Sequence, residues 1–174
     1  MEGFLDPNQV LEKLMLTDEM VAADFGCGAG NWVIPLVRKL KEGKVFAIDI
    51  LEEPLSALEG KLRQERLDNV RLIRANVEDK AGIKQIASDS LDLVLMTNLL
   101  FEVSAKKTVL AEAKRMLKPD GIIVVIDWKK DSPFGPAKKV LPEEIKETAA
   151  SLGFGVEQEF DAGAYHWALI LIKK

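Results

Sequence analysis

VAADFGCGAGNW, residues 21–32, ends an apolar run on an aspartate and a phenylalanine and then places Gly26, Gly28 and Gly30 within five positions. The chain has only 12 glycines in 174 residues, so this cluster needs a reason. Glycine weakens regular structure, and a group of them marks backbone that turns sharply or comes close to something. The run VAADF (21–25) reads as a strand, and NWVIPLVRKLK (31–41) reads as a helix. A strand-to-helix turn alone needs one glycine. Three of them at the carboxyl end of a first strand point to a ligand, because ligands of open α/β sheets sit there, where the strand order reverses.

Working outward, the same alternation continues. Strands are expected at KVFAIDI (44–50), VRLIRA (70–75), LDLVLMTN (91–98), GIIVVIDW (121–128), GVEQEF (155–160) and HWALILI (166–172). Helices are expected over 52–67, 81–87, 104–117 and 142–153, with Pro54 and Pro142 in first turns where proline is tolerated. The stretch Lys118-Pro119-Asp120-Gly121 reads as a turn, and 129–141 as a loop. IIVVI, LVLM and VFAI are continuous apolar runs, as in parallel strands covered on both faces. The last two strands are too close in sequence for a crossover helix and must pair antiparallel. The expected fold is therefore α/β: an open, doubly wound, mostly parallel sheet of seven strands, the last antiparallel, with helices on both faces. Residues 1–174 are expected to form a single domain. Within it, residues 1–20 form an N-terminal segment carrying one helix, from about Asn8 to Leu16, packed at the sheet edge or over the site.

Composition narrows the class. An apolar fraction of 48 % with 30 % charged residues belongs to a globular chain, and no apolar run is long enough to span a bilayer. MEGFLDPNQV lacks the basic and apolar regions of a signal peptide, and the lone Cys27 allows no internal disulfide, so a cytoplasmic location is expected. One cysteine and one histidine, His166, make a poor zinc set, and no metal is expected. A net charge of −4 argues against nucleic acid without excluding a local basic patch.

The chemistry of the three strand ends identifies a ligand. The glycine pattern is one residue tighter than the dinucleotide fingerprint, with Asn31 where the third fingerprint glycine would stand. Asp24 repels phosphate but favours an ammonium group. The free N–H groups of the following helix suit a carboxylate. Ammonium and carboxylate together are an amino-acid end. Asp49, closing the second strand, stands where an acidic side chain accepts ribose hydroxyls. Ile50 and Leu51 offer an apolar wall to a purine. Asn76, after the third strand, carries the carbonyl and amide that pair with an adenine edge. Amino acid, ribose and adenine together make S-adenosylmethionine. No lysine of the triphosphate-binding type follows the glycines.

With these residues in place, the chain resembles the class I S-adenosylmethionine-dependent methyltransferases over almost its whole length. DFGCGAG resembles the first family motif, FAIDI the second, and ANVED the region after the third strand, with Asn76 at the usual aspartate position. LDLVLMTNLLFEV resembles the fourth-strand motif, and MLKPDGIIVVIDW the one leading into the fifth. The resemblance implies cofactor contacts at Asp24, Gly26, Gly28, Asp49, Ile50, Asn76, Val77 and Asn98, with S-adenosylhomocysteine as product. No catalytic constellation is obligatory, because the sulfonium is already a strong electrophile and the protein supplies proximity and, for a weak nucleophile, a base.

The acceptor side is less legible. Thr97-Asn98-Leu99-Leu100 is not the N-P-P-Y segment of enzymes that methylate adenine or amide nitrogen. His166 is either a base or a rim residue beside a core Trp167, and Asp127 either a base or a loop cap. Cys27 reads as a packing residue, and Phe4 and Trp32 as core aromatics before lid residues. Little chain is inserted between core elements, so a small-molecule acceptor is expected. The site is then open, or completed by the N-terminal segment or a second subunit in a homodimer. Alternatives are an RNA or protein methyltransferase using the loop 129–139 with Lys129, Lys130, Lys138 and Lys139, and an adenosyl-binding regulatory module without turnover. A nicotinamide dehydrogenase lacks its third fingerprint glycine here.

Overall fold

The structure, a computed structural model, describes residues 3–79 and 81–174. Seven strands, β1 (Val21–Phe25), β2 (Lys44–Asp49), β3 (Val70–Arg74), β4 (Leu91–Thr97), β5 (Leu117–Trp128), β6 (Phe154–Asp161) and β7 (His166–Lys173), form one sheet in the order β3-β2-β1-β4-β5-β7-β6. β1 pairs in parallel with both β2 and β4, so the order reverses at the end of β1. β7 is antiparallel to both β5 and β6. Its first residues therefore lie on the same rim as the carboxyl ends of β1 to β5. That is the expected architecture.

The continuous apolar runs have the expected cause. Along β4, Leu93 and Leu95 point into one core layer while Val94 and Met96 point into the other. The first layer is closed by α1 (Pro7–Leu11), α2 (Val33–Lys39) and α3 (Glu52–Glu65) through Val10, Leu36, Leu58 and their neighbours. The second is closed by α4 (Lys106–Met116) and α5 (Pro142–Ser151) through Leu110, Met116 and Ile145. Each central strand is buried on both sides, so both faces are apolar except for acids such as Asp24 and Asp127 toward the carboxyl ends.

Three expectations need correction. Residues 81–87 are turns, not a helix. Ile83 and Ile86 have helical spacing and are both 2 % exposed, which is why the segment reads as helical. Its peptide groups are bound instead by α4. Ile83 N–H donates to Glu112 Oε1 at 2.7 Å, and Arg115 donates to the carbonyls of Ile83 and Ile86 at 3.3 and 3.1 Å. The N-terminal helix covers only Pro7–Leu11, capped by Asp6, whose Oδ1 accepts from Asn8 N–H at 2.9 Å. Past Glu12 the chain runs through single turns to Leu16. The Lys118–Gly121 turn is absorbed into β5 as a bulge: Leu117 stands opposite Leu91 but Ile122 opposite Leu93.

Candidate functional site

The glycine turn is held from below by β2. Gly26 N–H and Cys27 N–H both donate to Ile48 O, at 2.8 and 3.0 Å, and Gly30 N–H closes back on Cys27 O at 3.0 Å. Gly26, Gly28 and Gly30 have φ of +74°, +50° and +87°, a region that side chains disfavour. They also differ in what surrounds them. A Cβ on Gly30 would stand 2.3 Å from Leu58 Cδ1, so that glycine lets α3 pack against the turn. A Cβ on Gly26 would meet Leu99 Cδ1 at 2.9 Å. A Cβ on Gly28 would meet nothing within 4 Å, because it would project into open space.

That space is a cavity of about 520 Å³ over the ends of β1 to β4. Gly26, Gly28, Asp49, Ile50, Asn76, Val77 and Asn98 all line it, so the structure brings together seven residues singled out from four separate motifs. Leu51, Pro54 and Leu99 add apolar wall, and Glu78 and Glu102 add carboxylates that sequence reasoning missed. A groove of about 610 Å³ on the opposite rim, lined by Lys13, Met15, Asp120 and Gln158, contains none of the expected residues. Size alone does not select the site.

The polar side chains on the β2 and β3 side are already engaged. Asp49 Oδ2 accepts from Gly28 N–H and Oδ1 from Leu51 N–H, each at 2.9 Å, tying the glycine turn to the end of β2. Each oxygen keeps a further lone pair for a hydroxyl. Asn76 Oδ1 accepts from Glu78 N–H at 2.9 Å, an Asx turn that leaves the side-chain amide as its free donor. Glu78 Oε1 accepts from the N–H groups of Ser104 and Ala105 at 2.8 and 2.7 Å, fastening this wall to the start of α4.

Asp24 lies beneath the cavity rather than in it. It is 2 % exposed, and its Oδ2 has no hydrogen-bond partner. Burial, and secondarily the Asp49 carboxylate, push its pKa up to about 8. Its carboxyl therefore keeps its proton at pH 7 when no cation stands beside it, and it faces a ligand's ammonium only from behind the turn. Cys27 sits in the same environment; burial, then Asp24 and Asp49, raise its thiol well above the usual range, so it packs as a neutral group.

A second hollow, of about 450 Å³, opens beside the first. Asn31, Trp32 and Asn98 line both, so the two meet. Its remaining walls are Phe4, Leu5 and Pro7 from the N-terminal segment, Trp128 from the end of β5 and His166 from the start of β7. Asn98 has φ +51° and donates its N–H to Ile126 O at 2.8 Å, but its side-chain Oδ1 is buried without a partner. His166 is 3 % exposed, packs against Trp128 with ring centroids 4.1 Å apart and the planes tilted by 40°, and has no partner on either ring nitrogen. Burial, and then Lys129, hold its pKa down to about 4, so the ring is neutral at pH 7.

Other expectations resolve around this hollow. Trp32 is buried at 7 %, as expected, but Phe4 is half exposed and stands against Tyr165 and Phe134 at the mouth of the hollow rather than in the core. Asp127 is fully buried; its Oδ1 accepts from Trp128 N–H at 2.8 Å, and the nearby N–H groups of Phe101 and Leu100 partly offset the burial that raises its pKa to about 6. It serves the loop after β4. Lys129 is paired with Asp161 at 2.9 Å, and Lys139 donates to Ser132 O, which leaves Lys130 and Lys138 as the solvent-facing cations of that loop. Phe134 is the loop residue that reaches the aromatic cluster. Among the described residues no helix is long and apolar enough to cross a membrane, and no group of His, Cys, Asp and Glu is placed to hold a metal ion.

Comparison with known proteins agrees with this geometry. A family model described as a methyltransferase domain matches residues 16–168. A crystal structure of a SAM-dependent methyltransferase from Aquifex aeolicus superposes with a TM-score of 0.88 and 26 % identity, covering 98 % of this chain and 90 % of that one. The demethylmenaquinone methyltransferase of Geobacillus stearothermophilus is 32 % identical over 127 residues, 72 % of this chain and 53 % of the relative. A tRNA N(3)-methylcytidine methyltransferase from Schizosaccharomyces pombe is 28 % identical over 112 residues, 60 % of this chain and 35 % of the relative. The chain thus spans about half the length, or less, of these curated relatives. A family match over nearly the whole chain, on a sheet of this order with a glycine turn at its switch point, places it: the chain belongs to the class I S-adenosylmethionine-dependent methyltransferases.

Proposed function

We propose that this chain transfers a methyl group from S-adenosylmethionine to a small-molecule acceptor, with the cofactor in the larger hollow and the acceptor in the smaller one. The carrying observation is that the two hollows meet at Asn31, Trp32 and Asn98. Bound cofactor supplies an electrophilic methyl group; the chain holds it and orients the acceptor against it. Asp49 takes the ribose hydroxyls with the lone pairs its two backbone bonds leave free. Ile50 and Val77 flank the adenine, and the Asn76 amide donates to its edge. The open face of Gly28 admits the amino-acid end, whose ammonium favours loss of the proton from the Asp24 carboxyl behind Gly26 and then faces the carboxylate. Asn98 stands at the seam between the two ligands. The N-terminal segment walls the acceptor side through Phe4, Leu5 and Pro7.

A small acceptor is supported by the size of the second hollow and by the Geobacillus relative, whose name gives demethylmenaquinone as its substrate. The RNA-acting relative and the two free loop lysines support the competing reading. The test is calorimetric titration with S-adenosylhomocysteine, followed by labelled methyl donor offered to separate small-molecule, RNA and protein fractions. Binding and label in the small-molecule fraction are expected. Label in RNA or protein alone overturns the acceptor class. Binding with no label in any fraction favours the regulatory module, and failure to bind removes the whole reading.

A further inference from the structure

The smaller hollow is unusual in what it lacks. Among the described residues its lining contains no carboxylate, ammonium or guanidinium: Phe4, Leu5, Pro7, Trp32 and Trp128 give apolar and aromatic walls, and Asn31, Asn98 and His166 the polar groups. Lys129, the charge that acts on His166, is paired with Asp161. A phosphate, carboxylate or ammonium entering here would lose part of its hydration and meet no counter-charge among the described lining residues, which is unfavourable. A neutral planar ring meets only matching surface, and stacking on Trp128 adds to the burial.

The polar requirement is just as specific. His166, 97 % buried, lines this space with an imidazole whose two nitrogens are both buried and unpartnered, and Asn98 leaves a buried carbonyl oxygen unpartnered at the seam. Buried polar groups are almost always bonded, and the exceptions call for an explanation. A ligand hydroxyl supplies it, because a hydroxyl both donates and accepts.

Resting on the proposed function, we propose that the smaller hollow selects an uncharged aromatic acceptor carrying a hydroxyl group, and that His166 recognises the hydroxyl. His166 acts as a binding and positioning residue, and Phe4 as the ring's movable outer wall. The volume of about 450 Å³ accommodates a two-ring molecule.

The test is equilibrium dialysis of the full chain, saturated with S-adenosylhomocysteine, against 2-naphthol, naphthalene and 2-naphthoate. 2-Naphthol is expected to bind about tenfold more tightly than naphthalene, as one buried hydrogen bond of about 1.4 kcal/mol requires. 2-Naphthoate is expected to bind more weakly than either. The indole N–H resonances of Trp32 and Trp128 should shift on binding, which locates the probe. His166→Phe should abolish the preference for naphthol over naphthalene, and His166→Gln should restore part of it. Phe4→Ala should weaken both neutral probes several-fold without changing their ratio. S-adenosylhomocysteine affinity should stay unchanged in all three variants, which also checks that each is folded. Naphthoate binding as tightly as naphthol, a preference that survives His166→Phe, or no binding of the neutral probes overturns the proposal. Loss of S-adenosylhomocysteine binding in the unaltered chain instead overturns the cofactor reading on which it rests.

Discussion

The ends of β2 and β3 and the ends of β5 and β7 build two halves of one site in opposite ways. On the first side Asp49, Asn76 and Glu78 each give an oxygen to backbone N–H groups, so the walls are fastened before any ligand arrives. On the second side His166 has no partner on either nitrogen, and Asn98 at the seam leaves its Oδ1 unbonded. An unmet buried polar group costs about 1–3 kcal/mol, which an incoming ligand can recover. The comparison teaches that the cofactor half is prebuilt from local turns, whereas the acceptor half completes its bonding only when something occupies it.

The largest effect that would sharpen this contrast comes from the glycine turn. Gly30→Val sets a branched side chain against Leu58 in a left-handed backbone, and urea unfolding should show a loss of about 3 kcal/mol. Gly28→Ala, facing open space, should cost only about 1 kcal/mol in the same experiment yet weaken cofactor binding. Equal destabilisation by both would break the distinction between a packing glycine and a ligand-facing one.

Next comes Asp49→Ala, which frees two N–H groups and removes the ribose contact. Calorimetry should record a loss of about 2–3 kcal/mol in S-adenosylhomocysteine affinity, because hydrogen bonds to a charged group are the strong ones. Unchanged affinity would show that the fastened wall is not the binding wall.

Asp24 gives a smaller, pH-dependent effect. Its folded pKa of about 8 lies above the usual carboxyl value of 3.8. Between these the unfolded chain has lost the proton and the folded chain keeps it. Its contribution to stability is therefore fully present below pH 3.8 and is lost as pH rises toward 8. Asp24→Asn should flatten the stability profile between pH 5 and 8. A profile identical to that of the unaltered chain would mean that the carboxyl is ionised throughout. The smallest effect is expected from Lys130→Ala combined with Lys138→Ala: no change in cofactor affinity and about zero change in stability, as for most solvated surface charges. A loss of methyl transfer to RNA in that variant would return the loop to the site.

Legibility followed the range of the interactions. The strands were readable because burial on both faces writes itself into short continuous runs such as LVLM and IIVVI. The cofactor half was readable because its groups sit at fixed offsets from strand ends, where local turns aim them. Residues 81–87 were misread because Ile83 and Ile86 satisfy a helical period, while the bonds that decide the segment come from Glu112 and Arg115, about 30 positions away. Phe4 was misplaced because an aromatic residue in a short N-terminal stretch carries no signal of the Tyr165 and Phe134 rings it meets.

The sequence alone determined the strand order's logic, the glycine turn and the cofactor class, since strand periodicity, crossover length and strand-end chemistry are local properties. Only the tertiary structure decided that Asp24 lies behind the turn, that the loop lysines are partly spent on Asp161 and Ser132, and that His166 lines a hollow beside Asn98 whose described walls are uncharged. Those outcomes depend on side chains brought together from far apart in the chain, and on which of them finds a partner once water is excluded.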